Sequence, residues 1–333
     1  MGMTTPLITL LGATGFIGSA VLRELAGEPV RVRAVSRRPA PVPAGARADI
    51  EVRAADLTGP GEVAAAVDGA DVVIHTVLYS AATSTWRIED GDTEAERVNV
   101  GLVRDLVTAL ADRGTGARAT VLFTGTVGQA GPTGGKVLDG TEPDRPSGEY
   151  DRQKLAAERL LLAAHARGVL HGTSLRLPTV FGSGPDSTAD DRGVVSAMTR
   201  RALAGEPITM WHDGTVRRDL VYVDDVARAL VAGAGRPEAL AGRHWLVGTG
   251  VARPLGEVFQ QVADLVAAHT GKPPVPVLSV DPPGHADPGD FADIAVDASA
   301  FRAATGWSPR TPLEEALRRT VAHLADVRGR QAS

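Results

Sequence analysis

Tyr150-Asp151-Arg152-Gln153-Lys154 sets a phenol and an ammonium one helical turn apart, so both project from the same face of a helix. Such a pair can hand a proton to a carbonyl oxygen that is being reduced. A free phenol titrates near ~10, and bringing it toward neutrality takes roughly 4 kcal/mol of preferential stabilisation of the phenolate. An adjacent cation in a dry cleft is the expected source. Lysine is scarce here: of 35 cationic residues only Lys136, Lys154 and Lys272 are lysines. Lys154 is therefore not background, although a solvated surface pair is the plain alternative.

A second cluster lies near the start. The apolar run Leu7 to Leu11 leads into Gly12-Ala13-Thr14-Gly15-Phe16-Ile17-Gly18, and the helical pattern Ala20, Val21, Leu22, Leu25 follows. Strand, glycine turn and helix in this order form a dinucleotide-binding turn, in which missing side chains let backbone N–H groups and the helix N-terminus approach a pyrophosphate. The next strand ends in Ser36-Arg37-Arg38, and no Asp or Glu occurs between Val30 and Ala48. Cations there pair with a 2′-phosphate, whereas an acidic residue would hold a ribose diol, so NADPH/NADP is expected over NADH. Asp56 and Leu57, after the third strand, are placed either to meet the adenine or to cap a helix.

The elements that must position these groups follow from periodicity. Strands are expected at Leu7–Leu11, Val30–Val35, Ile50–Ala54, Asp71–Thr76 and Ala119–Phe123, with a helix through Leu102, Leu106 and Leu110. After a Gly- and Pro-rich loop from Gly128 to Gly148 come a long helix over Glu149–Ala166 and a strand at Thr173–Leu177. This alternation implies an α/β protein with a Rossmann-type doubly wound parallel sheet. The expected division is a dinucleotide-binding domain over 1–178, to which 219–248 returns. A smaller mixed substrate-binding lobe takes 179–218 and 249–333, with helices at Val194–Leu203, Leu255–His269 and Leu313–Val327.

Bulk properties remove other classes. A chain of 333 residues, 43% hydrophobic and 23% charged, can bury a large core. No apolar run approaches the ~18 residues of a membrane span, and the start shows no secretory pattern, so no membrane association and a cytoplasmic location are expected. With no cysteine and scattered histidines, neither thiolate chemistry nor a metal site is expected. A net charge of −5 argues against nucleic acid as a partner.

Taken together, these motifs resemble the extended short-chain dehydrogenase/reductase family over nearly the whole chain. The likeness also includes Val73-Ile74-His75, Asn99 opening a helix, Thr124-Gly125-Thr126, Leu175-Arg176-Leu177-Pro178-Thr179-Val180-Phe181-Gly182, Arg218-Asp219-Leu220-Val221-Tyr222-Val223-Asp224-Asp225, and Thr305-Gly306-Trp307-Ser308-Pro309. The last two are typical of members acting on nucleotide-linked sugars. The resemblance implies Tyr150 as general acid, Lys154 on the nicotinamide ribose and lowering the phenol pKa, and Thr126 on the substrate oxygen. It also implies Pro178 and Val180 near the nicotinamide, Val77 and Leu78 near ribose and phosphates, and Asn99 and Thr124 in the cofactor site. Arg218, or Arg217 in its stead, would meet the sugar-nucleotide pyrophosphate.

Departures narrow the expected reaction. Val127-Gly128 follow Thr126 where a 4,6-dehydratase carries an Asp-Glu pair, which speaks against dehydration. Ala130-Gly131 and Thr76-Val77-Leu78 also differ from the usual residues. Arg37 favours a cofactor that enters, reduces and leaves. The expectation is an NADPH-dependent ketoreductase acting on C4 of a dTDP-4-keto-6-deoxyhexose, in deoxysugar biosynthesis for natural-product glycosylation. A same-family epimerase, a C3-ketoreductase, or a reductase of a flavonol- or steroid-like ketone are alternatives, as is a non-catalytic NADP-sensing regulator. A homodimer through the helices around Leu102–Ala111 and Glu149–Ala166 is a possible assembly.

Overall fold

The computed structural model describes residues 5–79, 88–114, 118–183, 189, 191–284, 286 and 288–332. Its first half alternates as the spacing predicts: β1 (Leu7–Leu11), α1 (Phe16–Ala26), β2 (Arg31–Ser36), β3 (Asp49–Ala54), α2 (Glu62–Val67) and β4 (Val72–His75). A short α3 (Thr93–Glu96) runs through a π-helical turn, Arg97–Gly101, into α4 (Leu102–Ala111). Then follow β5 (Thr120–Thr126), a 3₁₀ turn at Val127–Ala130, α5 (Glu149–Ala166) and β6 (His171–Leu177).

These strands form a seven-stranded sheet ordered β3-β2-β1-β4-β5-β6, with a late strand, His244–Leu246, added beside β6; every pairing is parallel. Alternation along each strand feeds two cores. Ile8, Leu10, Ile74 and Leu122 pack under α1, while Leu11, Val73, Val121 and Phe123 pack under α2, α4 and α5. The strand order reverses between β1 and β4, so a crevice opens at their carboxyl ends, the position where open α/β sheets bind ligands.

The second half supplies β7 (Thr179–Phe181), α6 (Val194–Leu203), β8 (Ile208–Met210), β9 (Arg217–Tyr222), α7 (Val223–Ala234), α8 (Pro237–Leu240) and β10 (His244–Leu246). It ends with β11 (Ala252–Pro254), α9 (Leu255–Thr270), β12 (Val277–Ser279), α10 (Ser299–Thr305) and α11 (Leu313–Ala332). α7 packs on α1 and β10 joins the large sheet, whereas β9 pairs with β7 and β11 in a separate three-stranded sheet. A core of Phe181, Val195, Ile208, Tyr222, Phe259 and Leu317 holds α6, α9 and α11 around it. Among the described residues no helix is long and apolar enough to cross a membrane.

Candidate active site

The glycine turn is shaped by close backbone approach. Gly12 has φ +92°, and a Cβ on Gly18 would lie 1.9 Å from the Gly12 carbonyl oxygen. Gly12 and Ala13 donate to Val35 O at 2.9 and 3.1 Å, and Gly15 donates to Gly12 O at 2.8 Å, so the chain doubles back over the end of β1. α1 then starts at Phe16, with Ile17 behind it, without a side-chain cap and without an acidic residue in its first turn. An uncapped helix N-terminus facing the crevice beside Thr14 and Gly15 suits a pyrophosphate. Thr76 seals the turn from β4: its hydroxyl donates to Leu11 O at 2.9 Å and packs against Gly12 and Gly18.

At the end of β2 the Ser36 hydroxyl donates to Arg38 O at 2.7 Å, while Arg37 and Arg38 stand exposed. Asp56 accepts from Thr58 N at 3.0 Å and Thr58 Oγ1 at 2.7 Å, and these bonds hold its carboxyl below the usual range, with Arg37 adding to the effect. Leu57 is buried in the core under α2. Asp56 thus closes a short turn ahead of α2 and does not cap that helix, whose N-cap is Gly61 without a side-chain bond. Val77 packs against the same core and Leu78 is exposed beside the crevice.

The Tyr-Lys helix begins where β5 ends. Lys154 is buried, its ammonium donating to Thr124 O at 2.8 Å and lying 4.7 Å from the centre of the Phe123 ring. The Thr124 hydroxyl donates in turn to His75 O at 3.3 Å. Burial pushes Lys154 down to about 7. Tyr150, half-buried in the first turn of α5, moves the other way: burial, then the neighbouring Asp151, holds the phenol above its ordinary value. The expected lowering of the phenol by Lys154 is therefore not present in the chain alone.

Thr126 is the last residue of β5 and is held from both sides. Its N–H donates to Gln129 Oε1 at 2.8 Å, and its hydroxyl oxygen accepts from Gly128 N at 3.1 Å. With that lone pair engaged, the hydroxyl proton points its donor capacity elsewhere, as a group meeting a substrate oxygen must. The Asp151 carboxylate sits so close over Gly128 that a Cβ there would come within 2.3 Å of Oδ1, so the start of α5 lies directly against the turn after Thr126 and leaves no room for a side chain at Gly128. Pro178 joins β6 to β7 and Val180 packs on the core at the same edge of the sheet.

Two residues assigned to ligands by resemblance have other partners. Asn99 is buried in the π-helical turn, where Oδ1 accepts from Tyr79 N and Nδ2 donates to Gln153 Oε1, both at 2.8 Å. Arg218 is buried and donates to the carbonyls of Gly289 and Asp290 at 2.9 Å each, and to Ala292 O. Its guanidinium braces that loop, and Arg217 donates to Ala252 O at 2.9 Å. Asp219 and Asp225 of the same motif are also architectural. Asp219 accepts from Thr249 and Gly250 N–H groups, and Asp225 accepts from Arg310 N at 2.6 Å and Thr311 N at 3.1 Å. Thr76 is marked in the sequence only as a departure from the usual residue, and Gln129, Asp151 and Gln153 carry no signal there, because nothing in their types or spacing distinguishes a positioning side chain from an ordinary polar one.

A parallel sheet with its switch point at a glycine turn, with Thr126 ending β5 and Tyr150 and Lys154 on the helix that follows, has the architecture of the extended short-chain dehydrogenase/reductase class. The chain belongs to the NAD dependent epimerase/dehydratase family, whose model matches residues 8–248. It is 30% identical to a dTDP-L-rhamnose 4-epimerase of Burkholderia thailandensis, with 93% of this chain and 92% of that protein covered. It is 28% identical to a dTDP-6-deoxy-L-talose 4-dehydrogenase (NAD(P)(+)) of Kitasatospora kifunensis, with 93% of each chain covered. Among solved structures, MoeE5 in complex with UDP-glucose and NAD superposes with a TM-score of 0.75 at 28% identity, covering 98% of this chain and all of that one.

Proposed function

We propose that the protein moves a hydride to and from C4 of a nucleotide-activated hexose, in the manner of a 4-epimerase or 4-dehydrogenase acting on a dTDP-linked 6-deoxy sugar. A nicotinamide dinucleotide accepts and returns the hydride. Thr126 donates to the C4 oxygen, Tyr150 exchanges the proton on that oxygen, and Lys154 takes the ribose side of the cleft. The supporting observation is that relatives named for C4 chemistry on dTDP-6-deoxy sugars cover more than nine-tenths of this chain. That weighs against a one-way ketoreductase as the leading reading, because oxidation of a C4 hydroxyl is part of both named activities. The absence of an acidic pair after Thr126 agrees, since C4 redox needs no second base at C5.

Whether the cofactor stays or exchanges separates epimerase from dehydrogenase. The exposed Arg37 and Arg38 favour NADP(H) and a net redox reaction, because a 2′-phosphate would pair with them on the open side of the site. The test is incubation with dTDP-L-rhamnose and dTDP-6-deoxy-L-talose, with NAD or NADP added or withheld. Products are read by NMR and the nicotinamide by absorbance. Interconversion at C4 with no net change in the nicotinamide marks the epimerase, and a 4-keto sugar formed with stoichiometric NADPH from NADP marks the dehydrogenase; either supports the proposal. Inertness toward C4 of every nucleotide sugar, with turnover of an unrelated ketone, contradicts it.

A further inference from the structure

Gln153 sits between Tyr150 and Lys154 on α5 and faces the π-helical turn rather than the crevice. Its side chain is 3% exposed and fully engaged: Oε1 accepts from Asn99 Nδ2 at 2.8 Å and Nε2 donates to Glu149 Oε1 at 2.9 Å. Asn99 Oδ1 in turn accepts from Tyr79 N at 2.8 Å, in the segment that leaves β4 toward the crevice. The chain of bonds thus starts at a backbone N–H, which can only donate, and ends at a carboxylate, which can only accept. Each amide between them has one orientation that satisfies both neighbours, so the series is polar and unambiguous. Glu149 is itself held by Arg152 Nε at 2.9 Å, which anchors the far end on the first turn of α5.

A π turn widens the helix by one residue, and here that extra residue's space turns Asn99 inward to meet Gln153. We infer that Gln153 is a positioning residue: its bond to Asn99 ties α5 to the backbone at Tyr79, and Glu149 on its own helix fixes the orientation of the Gln153 amide that makes that bond. The consequence is that the segment expected to flank ribose and phosphates and the helix that carries Tyr150 and Lys154 cannot shift independently. The inference rests on the proposed role of Tyr150 and Lys154, and it is tested with one readout that needs no reaction.

That readout is hydrogen exchange of the Tyr79 amide in the cofactor-free protein, measured beside kcat and KM. Gln153→Leu is expected to speed exchange at Tyr79 by about tenfold and to lower kcat by about tenfold with KM within about twofold, since small misplacements of reacting groups act on the chemical step. Gln153→Glu sets a carboxylate against Glu149 and is expected to do the same. Adding Glu149→Gln to it restores an amide donor opposite the new carboxylate, and both quantities are expected to recover. If Gln153→Leu does not fold, Gln153→Asn, one methylene too short to span both partners, reads the same two quantities. Unchanged Tyr79 exchange in these variants, or a double variant no better than Gln153→Glu, overturns the inference. Faster exchange in a protein whose parent form turns over no nucleotide sugar supports the coupling and overturns the reaction assigned above instead.

Discussion

Tyr150 and Lys154 carry opposite perturbations from one cause. Both lose water; the phenol, neutral when protonated, holds its proton more tightly, and the ammonium, charged when protonated, holds its proton less tightly. For the phenol, replacement by Phe is expected to lower turnover by about 10²–10⁴-fold while cofactor affinity, measured by fluorescence titration, stays within about twofold. For the lysine the sign of the pH effect follows from linkage. Its value falls from 10.5 in the unfolded chain to about 7 when folded, so between those limits the unfolded chain binds a proton that the folded one does not. Stability of the cofactor-free protein should therefore rise from pH 7 to pH 9, and Lys154→Met should flatten the slope in urea titrations. Below pH 7 both states are protonated, and the folded state bears the whole desolvation cost. The Tyr-x-x-x-Lys pair and the glycine turn were legible because their chemistry fixes their spacing. The direction of the phenol shift was not, because it depends on how much water the fold removes.

At the scale of elements, the agreement is closest where one element does one thing. α5 runs from Glu149 to Ala166 as its periodicity predicts, and β1, the glycine turn and α1 follow in the expected order. The misses have local causes. β5 extends to Thr126 rather than ending at Phe123, because pairing with β6 continues through Leu177. The π-helical turn before α4 leaves no mark in the apolar pattern, since it is set by the bonds of Asn99 to Tyr79 and Gln153. The short β8, β11 and β12 are three residues each, too brief for alternation to show. A direct check on the turn is Gly18→Ala: the methyl would stand 1.9 Å from Gly12 O, so α1 must move away from β1. Nucleotide affinity is expected to fall at least about tenfold, by the same fluorescence titration, with most secondary structure retained by circular dichroism.

For the whole molecule, the motifs that resemblance ties to sugar nucleotides also hold the segment before α11 to α7. Trp307 Nε1 donates to Asp225 O at 3.0 Å, and the Asp225 carboxylate takes Arg310 N, Thr311 N and Arg228. The segment leading to α11 is thereby clasped onto α7, which itself lies against α1 with Arg23 bonded to Asp224 at 2.9 Å. Asp225→Ala strands two backbone donors at a buried position, and a loss of about 2–4 kcal/mol is expected from urea unfolding. Limited proteolysis should then cut first between residues 305 and 313. A second brace, Arg176 with Glu158 at 2.5 Å and Asp144 at 2.7 Å, fastens the loop before α5 to β6. Sequence alone could assign these side chains to ligands or to architecture with equal ease, since a buried Asp or Arg reads the same in either role until its partners are seen.

The account stands or falls on hydride transfer at sugar C4 governed by Tyr150. The direct measurement is to supply a dTDP-6-deoxyhexose carrying deuterium at C4, with oxidised cofactor, and to follow the label by NMR and mass spectrometry in the parent protein and in Tyr150→Phe. The label is expected to reach the nicotinamide ring or return to inverted C4 in the parent protein, and to stay in place in the variant. Label that remains fixed at C4 while product forms, or that moves equally fast without the phenol, would contradict it.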